Sequence, residues 1–319
     1  MLSEIDNSIL KILICYHKPY ALPDLTGNVF LPIHVGKALS SVTLDMQTDN
    51  EVNGQPCDNI SSKNDSYCEL TAIYWAWKNL KKLYPDVKYV GLFHYRRFFA
   101  FHEKKFLCEE INKPENAIPD YRIDLQEIIN ILDRKDIILG QKIVTPYPMY
   151  VYYSKDHMGE DYKALRKIIK NEFSDYYEAF MSFWEFNNKY SARNMFIMRY
   201  DDFVKYCEWL FAVLASLEKV VPYTNYNTYQ KRVFGFIAER LLNVYVMKNN
   251  MRVKYLNVYH YDDENDKKKY AWKSSFWKNL YGNVFYALRN MLSFRIFMFD
   301  PRIIAYRLLG RKDKLYYEE

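Results

Sequence analysis

Two short clusters of basic and imidazole side chains each follow a run of apolar residues. His17 and Lys18 follow the first run, and His94-Tyr-Arg-Arg97 follows the second. Arginine offers a planar fork of N–H donors that matches phosphate oxygens, and lysine adds a point charge. We therefore expect Lys18, Arg96 and Arg97 to bind a phosphorylated ligand, for which a nucleotide phosphate is the best fit.

Each of these residues has a plainer alternative role. Arg96 and Arg97 could form surface ion pairs, and His94 could be a core histidine with satisfied hydrogen bonds. Their clustering favours a ligand site, because ligands of open α/β sheets bind outside the carboxyl ends of the strands. We expect the two clusters to lie side by side at that edge.

Composition argues against several other kinds of site. The chain has 319 residues, of which 50% are hydrophobic and 26% charged, as in a folded protein with a substantial core. It has 9 glycines where roughly 22 would be average, and neither G-x-G-x-x-G nor G-x-x-x-x-G-K-[ST] occurs. Its five cysteines form no C-x-x-C pair, which argues against a zinc cluster or disulfide framework and favours a reducing cytoplasm.

The elements that must position the two clusters follow a strand, helix, strand order. Residues 11–16 are predicted as a buried strand, residues 67–84 as an amphipathic helix with its N-cap among residues 64–66, and residues 87–93 as a second buried strand. This order indicates a parallel sheet. Residues 19–64 are rich in Pro, Gly, Asn and Asp and are predicted to be mostly irregular.

Beyond the second strand, helical and strand patterns continue to alternate. They predict helices at 125–132, 161–171, 202–218 and 230–246, strands at 136–140, 194–198 and 252–260, and a loop at 145–153. The acidic and then basic run 262–269 indicates a boundary. We expect an α/β domain over residues 1–266, followed by a basic, aromatic tail at 267–319.

The tail carries the basic charge of the whole chain. Residues 267–319 contain 12 lysines and arginines against 4 acidic residues, a net charge of +8, which leaves −2 for residues 1–266. The tail also holds 13 aromatic residues, and its apolar side chains recur at helical spacing: Phe276, Leu280, Val284, Leu288 and Leu292. This pattern predicts an amphipathic helix on an anionic membrane surface. The alternative is that the tail packs on the folded domain or on a second subunit, as in a homodimer.

The sequence offers neither an export signal nor a membrane span. The N-terminus lacks a basic start and a long apolar core, and no run reaches the roughly 18 apolar residues of a spanning helix. We therefore expect a cytoplasmic protein held peripherally on the inner face of the cytoplasmic membrane.

Eight sequence blocks resemble the DUF4422 family of bacterial capsular and exopolysaccharide glycosyltransferases. The two most specific are Glu-Leu-Thr-x-x-Tyr-Trp-Ala-Trp-Lys-Asn, within 67–79, and His-Tyr-Arg-Arg, within 91–98; the others lie at 17–20, 33–36, 58–61, 194–198, 206–211 and 235–241. The resemblance covers residues 11–260. It implies a GT-A-like fold, an open and mostly parallel sheet flanked by helices. It also implies transfer of galactose or galactofuranose from a UDP-sugar to a growing, lipid-linked capsular or exopolysaccharide glycan.

The resemblance raises the question of what neutralises the departing diphosphate. GT-A enzymes usually hold a divalent cation with a D-x-D triplet at the end of a central strand. Here that point carries His94-Tyr-Arg-Arg97, so we expect Arg96, Arg97 and His94 to take the place of the metal, with no cofactor. The alternative is Mn²⁺ or Mg²⁺ bound by the acidic residues Asp262, Asp263, Glu264 and Asp266.

Inverting transfer also needs a base to take the proton of the acceptor hydroxyl. Glu239 lies on the predicted helix 230–246 and resembles the acidic residue that GT-A enzymes present from an acceptor-side helix. The alternative for Glu239 is an ion pair with Arg232 or Arg240.

Further polar residues complete the predicted site. We assign donor binding to His17, Lys18, Asp58, Asn59, Glu69 and Tyr95, and binding of the acceptor or the transferred sugar to Arg193, Asn194 and Arg240. The alternatives for Asp58, Asn59 and Glu69 are helix capping and turn formation, and Arg193 could pair with Asp201 or Asp202. Trp75 and Trp77 cannot share a helix face, so at least one should belong to the core.

Two other classes of function compete with glycosyl transfer. A nucleic-acid-binding protein could use the basic, aromatic tail, but residues 1–266 are slightly acidic and no known nucleic-acid motif accompanies the tail. A non-catalytic, membrane-associated carbohydrate-binding or scaffold protein of polysaccharide assembly would need no cations clustered at strand ends. We therefore expect an enzyme that binds no nucleic acid.

Overall fold

The computed structural model describes residues 7–103, 110–262 and 280–287, and these form a mixed α/β structure. The strands are β1 (Leu10–Tyr16), β2 (Phe30–His34), β3 (Gln47–Thr48), β4 (Glu51–Val52), β5 (Gln55–Pro56), β6 (Tyr89–His94), β7 (Arg97–Ala100), β8 (Glu110–Pro114), β9 (Ile137–Gly140), β10 (Ile143–Val144), β11 (Lys189–Tyr190), β12 (Phe196–Arg199) and β13 (Val253–Asp262). The α-helices are α1 (Asn64–Tyr67), α2 (Leu70–Leu83), α3 (Leu125–Leu132), α4 (Met149–Asp156), α5 (Gly159–Glu172), α6 (Tyr177–Phe186), α7 (Tyr200–Glu218) and α8 (Val233–Lys248). Residues 280–287 are also helical.

The chain divides into two compact units. Unit 1 comprises Met1–Lys142, Ser191–Trp209 and Asn250–Lys273, and unit 2 comprises Ile143–Tyr190, Leu210–Asn249 and Ser274–Glu319. The first half of α7 thus belongs to unit 1 and its second half to unit 2.

Unit 1 is built on a nine-stranded sheet. Its strands run in the order β12, β9, β13, β7, β6, β1, β2, β3, and β8 also pairs with β13. Among the described residues, five pairings are parallel and four antiparallel, so the expected mostly parallel sheet is in fact mixed. One cause is the tight turn after β6, where His94 pairs with Arg97, because a connection this short can only join antiparallel strands.

The predicted strand–helix–strand arrangement is confirmed. Every residue of β1 is buried, and β1 pairs in parallel with both β2 and β6. Gly91 of β6 lies opposite Ile197 of β12, which pairs with β6 in the antiparallel direction. A Cβ there would come within 2.9 Å of the Ile197 side chain and 3.0 Å of the Phe196 carbonyl, so this position of β6 requires glycine.

Helix α2 begins later than its periodicity predicts. Cys68 has a φ of 52°, a left-handed conformation that separates the single turn α1 from α2. The predicted N-cap at residues 64–66 is wrong, because Glu69 precedes the first residue of α2 and makes no side-chain capping bond. Trp75 is fully buried, which confirms that at least one of the two tryptophans belongs to the core.

Several elements form where the sequence predicts irregular chain, namely β2 to β5 within residues 19–64 and α4, which begins within 145–153. β2 contains Pro32, which argues against a strand, but its pairing with β1 overrides that preference. α4 lies in a Pro- and Tyr-rich stretch, and Pro148 precedes its first residue, a place where proline is compatible with a helix. Helix α3 has the predicted bounds.

Unit 2 is mainly helical. The largest buried side chains of its core are those of Trp184, Tyr153, Tyr226, Phe180 and Phe183, and β10 pairs with β11 in a small antiparallel sheet. In the helical segment 280–287, Tyr286 donates a hydrogen bond from its hydroxyl to the Phe186 carbonyl.

The predicted tail helix is described over residues 280–287. There Leu280, Tyr281, Val284 and Phe285 are 41–62% exposed. Phe276, Leu288 and Leu292 lie outside the described residues, as do Asp263, Glu264 and Asp266. No helix in the described part of the chain is both long and apolar enough to cross a membrane.

Candidate functional site

The two basic clusters lie side by side at one edge of the unit 1 sheet, as the sequence predicts. β1 and β6 are parallel neighbours, with Cys15 opposite His94. The Tyr95 N–H donates to the Cys15 carbonyl at 3.2 Å, which extends the pairing past the end of β6. Residues after both strands therefore enter the same space, at the carboxyl edge where α/β sheets bind ligands.

Tyr95 organises the cations at this edge. The Lys18 ammonium lies 5.7 Å and the Arg96 guanidinium 5.6 Å from the centre of the Tyr95 ring. The His17 ring contacts it edge-on at 5.2 Å, and the Tyr20 ring at 4.8 Å. A cation is attracted to an aromatic ring at such distances, so Tyr95 attracts both positive charges.

Arg96 pairs with the end of β13. Its Nη1 lies 3.5 Å from Asp262 Oδ1, with side-chain exposures of 32% and 21%. The buried Nε of Arg96 has no hydrogen-bond partner within the described residues. Asp262, the first residue of the acidic run, therefore acts as an ion-pair partner of Arg96. The described residues contain no group of three side chains that could hold a metal ion.

Arg97 belongs to a three-residue ion-pair network. Its Nε donates to Glu110 Oε1 at 3.1 Å, and Arg193 Nη2 lies 3.2 Å from the same oxygen. Burial and the nearby Arg193 charge lower the pKa of Arg97. Burial would raise the pKa of Glu110, but the charges of Arg193 and Arg97 bring it below its ordinary value, so the carboxylate stays ionised.

Glu110 is a site residue that the sequence analysis does not find. It lies at the start of β8, in a segment that carries no motif, and its closeness to Arg97 depends on the pairing of both β7 and β8 with β13. His260 on β13 is opposite Arg97 and was missed for the same reason. Its alternating strand was predicted, but no pattern in the sequence shows which residue it would face.

A strained turn before β12 joins the remaining predicted residues of unit 1. Arg193 and Asn194 have φ values of 75° and 52°, a left-handed conformation that is costly for residues other than glycine. The Arg193 carbonyl lies 2.6 Å from His94 Nε2, and Asn194 Nδ2 donates to Glu69 Oε1 at 2.7 Å. The structure thus brings His94, Arg97, Glu69, Arg193 and Asn194 into one network.

Asp58 and Asn59 make local contacts. Asn59 Oδ1 accepts the Ser61 N–H at 3.0 Å, and its Nδ2 donates to the Cys57 carbonyl at 2.7 Å, as in an Asx turn. Asp58 Oδ1 accepts the Tyr74 hydroxyl at 3.0 Å. Asn59 thus has the turn-forming role expected as the alternative, whereas Asp58 contacts helix α2.

Glu239 and Arg240 lie on α8 in unit 2. Glu239 Oε2 accepts a hydrogen bond from Arg240 Nη1 at 2.9 Å, so the ion pair expected as the alternative is present. The two side chains differ in exposure, 20% for Glu239 against 4% for Arg240. The Arg240 guanidinium lies 5.5 Å and 5.0 Å from the rings of Tyr153 and Tyr190, so Arg240 is fixed in the interior while the Glu239 carboxylate reaches the surface.

Comparison with known proteins gives one family and one solved structure. The apo structure of WbbM, a bifunctional glycosyltransferase, is similar with a TM-score of 0.67 and 33% sequence identity, over 80% of this chain and 45% of that one. This chain therefore corresponds to less than half the length of WbbM. No curated protein matches it. The model of DUF4422, a domain of unknown function, matches residues 11–250, and the chain belongs to this family.

Proposed function

We propose that this protein is a glycosyltransferase that moves a hexose from a UDP-sugar to a glycan acceptor. The observation that carries the proposal is the cluster of Lys18, Arg96, Arg97 and Arg193 at the end of β1 and β6. Asp262 pairs with Arg96, and Glu110 pairs with both Arg97 and Arg193, so positive charges outnumber negative charges among these six residues. The similarity to a glycosyltransferase over most of the chain supports the same reaction class.

The donor diphosphate binds at the edge of the unit 1 sheet. Lys18 and Arg96, which lie against Tyr95, contact the oxygens of the diphosphate. Arg97, paired with Glu110, adds positive charge to the site. As the bond from the sugar to UDP breaks, negative charge grows on the leaving phosphate, and fixed cations stabilise it without having to reorganise. This is the role that a divalent metal has in many transferases, and we propose that no metal is needed here.

Glu239 acts as the base in an inverting transfer. The acceptor hydroxyl oxygen forms the bond to the anomeric carbon, the bond from that carbon to UDP breaks, and the hydroxyl proton passes to the Glu239 carboxylate. The buried Arg240 fixes the carboxylate through its 2.9 Å hydrogen bond. Arg193 and Asn194, in the strained turn, contact the transferred sugar.

The acceptor is a growing, lipid-linked capsular or exopolysaccharide glycan, and the basic tail 267–319 holds the enzyme on the inner face of the cytoplasmic membrane. The net charge of +8 and the aromatic content of the tail support this. We expect the full chain to float with anionic liposomes and a chain ending at Asp266 not to. Equal flotation of both chains would contradict the role of the tail.

The central experiment is a donor screen. Purified full-length protein is incubated with UDP-galactofuranose, UDP-galactose, UDP-glucose and related UDP-sugars, and released UDP is measured. We expect slow release from one hexose donor, with UDP-galactose and UDP-galactofuranose the first choices. No release from any UDP-sugar would contradict the proposal.

A further inference from the structure

Three aromatic side chains of unit 2 form a stack that extends from its interior to solvent. His157 follows α4 and packs on Phe236 of α8, with ring centres 4.0 Å apart and planes 28° apart. The Tyr229 ring lies 5.9 Å from His157 at 18° and 5.2 Å from Phe236. Tyr229 is 52% exposed and His157 only 6%. We call Tyr229, His157 and Phe236 the aromatic shelf.

The base of the aromatic shelf is firmly held. The Tyr153 ring contacts the His157 ring at 4.8 Å, and the backbone N–H of His157 donates to the backbone carbonyl of Tyr153 at 2.8 Å. Gln230, two residues before Arg232, donates from its side chain to the Asp156 carbonyl at 2.8 Å. These contacts fix the His157 ring, which supports the exposed Tyr229 ring.

Charged groups border the aromatic shelf. The exposed Arg232 places its guanidinium 5.3 Å from the Phe236 ring. Glu239 is three residues after Phe236 on α8, and residues at that spacing lie on the same face of a helix. Asp156, Arg232, Arg240 and Glu239 all act electrostatically on the Tyr229 hydroxyl, so two carboxylates and two guanidinium groups lie around this ring.

We infer that the aromatic shelf binds a hexopyranose ring of the acceptor glycan. The C–H bonds on one face of a sugar ring form an apolar surface that covers an aromatic ring, and its hydroxyls bond to carboxylates and guanidinium groups at the border. The carboxylates of Asp156 and Glu239 balance the guanidinium groups of Arg232 and Arg240, so no excess of positive charge attracts a phosphate, and a neutral sugar suits the shelf better than the donor does. This assignment rests on the proposed function, in which Glu239 receives the acceptor proton.

Ligand-observed NMR on the full chain tests the aromatic shelf. Saturation transfer to methyl β-D-galactopyranoside and methyl β-D-glucopyranoside is measured at millimolar concentration, with UDP as a third probe. We expect wild type to bind at least one glycoside and Tyr229→Ala to bind it about three- to tenfold more weakly, since one stacking contact is lost. Tyr229→Phe keeps the ring and should bind as wild type does.

A matched control separates the effect of losing Tyr229 from the effect of losing any exposed aromatic side chain. Phe186 on α6 is 70% exposed and lies outside the shelf, so Phe186→Ala should leave glycoside binding unchanged. The inference is overturned if wild type binds neither glycoside, if Tyr229→Ala binds as wild type does, or if Phe186→Ala loses as much. Displacement of the glycoside by UDP would also overturn it.

Failure of the proposed function has a different outcome. Glycoside binding needs no turnover, so a chain that releases no UDP from any UDP-sugar could still show the ring-dependent binding. That pair of results would contradict the transferase and leave a sugar-binding surface on unit 2. Release of UDP together with unchanged binding in Tyr229→Ala would contradict the aromatic shelf and leave the transferase standing.

Discussion

The candidate sites of the two units are built from different interactions. In unit 1, Arg97 and Arg193 share the carboxylate of Glu110, and Arg96 pairs with Asp262. In unit 2, ring stacking dominates, and Glu239 with Arg240 forms the ion pair beside it. Clustered cations suit a diphosphate and stacked rings suit a neutral sugar, so the contrast predicts that unit 1 binds the donor and unit 2 the acceptor.

The buried carboxylates of the two units also differ. Glu110 keeps its charge because two arginines face it, and its pKa is below the ordinary value. In unit 2, burial lowers the pKa of His157 to about 3 and raises that of Asp161 to about 7. Both are therefore neutral in weakly acidic solution. Burial favours the neutral form in both units, and the charge persists where an opposite charge is close enough to offset it.

The largest effect is expected from removing the base. Glu239→Gln keeps the shape of the side chain but cannot accept the acceptor proton, so we expect the rate of transfer to fall by about 10²- to 10⁴-fold. Donor binding should not change, because the donor is assigned to unit 1. Transfer kinetics and titration with UDP measure the two effects separately.

The control for this variant is Glu185→Gln in the same unit. Glu185 is 19% exposed and pairs with Arg166 at 3.3 Å, close to the environment of Glu239 at 20% and 2.9 Å. Glu185→Gln should leave turnover unchanged. An active Glu239→Gln enzyme would remove unit 2 from the chemistry and break the comparison on that side.

The next effect concerns the cations of unit 1. Arg96→Ala removes a guanidinium held against Tyr95, and we expect release of UDP from the donor to slow by about 10²- to 10³-fold. Arg96→Lys keeps the charge without the planar fork and should lose less. The assay is UDP release with and without acceptor.

Arg252 provides a control at the opposite end of β13. Arg252 Nη2 pairs with Asp136 at 2.8 Å, much as Arg96 pairs with Asp262. Arg252, however, lies just before the first residue of β13, whereas Asp262 is its last residue. Arg252→Ala should therefore leave UDP release unchanged. Equal losses in Arg96→Ala and Arg252→Ala would show that ion pairing supports the fold and that the cations have no separate role with the donor.

The sequence predicts the parts of the fold that depend on local pattern. The apolar runs before His17 and His94 identify β1 and β6, and the strand–helix–strand order implies their parallel pairing, so the juxtaposition of the two clusters could be predicted. β2 and α4 were missed because Pro32 and Pro148 are strong local signals against regular structure. Pairing with β1 overrides the effect of Pro32, and Pro148 is tolerated because it lies at the start of α4.

The ion-pair partners could not be predicted. Glu110 reaches Arg97 and Arg193 because strands distant in sequence meet on β13, and no periodicity encodes that meeting. The aromatic shelf was also missed. Tyr229 and Phe236 look like core residues of a helix start, and the exposure of Tyr229 depends on how α4 and α8 pack together.

A smaller effect concerns the pH dependence of stability. Asp161 accepts the Tyr226 hydroxyl at 2.7 Å, and burial raises its pKa to about 7. Between about pH 4 and pH 7 the folded chain holds a proton that the unfolded chain has lost, so the free energy of unfolding falls as pH rises across this range, by a few kcal/mol at most. Asp161→Asn should remove much of this decrease.

Urea unfolding at pH 5 and pH 8 measures that effect, with the exposed Asp175 as control. Asp175→Asn should show the wild-type pH dependence, because its carboxylate is 65% exposed. A wild-type pH dependence in Asp161→Asn would show that unit 2 holds this carboxylate ionised. Unit 2 would then resemble unit 1 in holding a buried carboxylate in its ionised form.

The smallest effect is expected from chelation. If Lys18, Arg96 and Arg97 supply the positive charge at the diphosphate, turnover should be the same with and without EDTA, because a fixed guanidinium cannot be chelated. Turnover that EDTA abolishes and Mn²⁺ restores would mean that the arginines alone do not neutralise the leaving group. Asp262 would then have to exchange Arg96 for a metal ion, and its 3.5 Å ion pair would be a feature of the metal-free state. Repeating the measurement in Arg96→Ala sharpens the test. Rescue of that variant by Mn²⁺ would show that the guanidinium and the metal ion neutralise the same negative charge on the diphosphate.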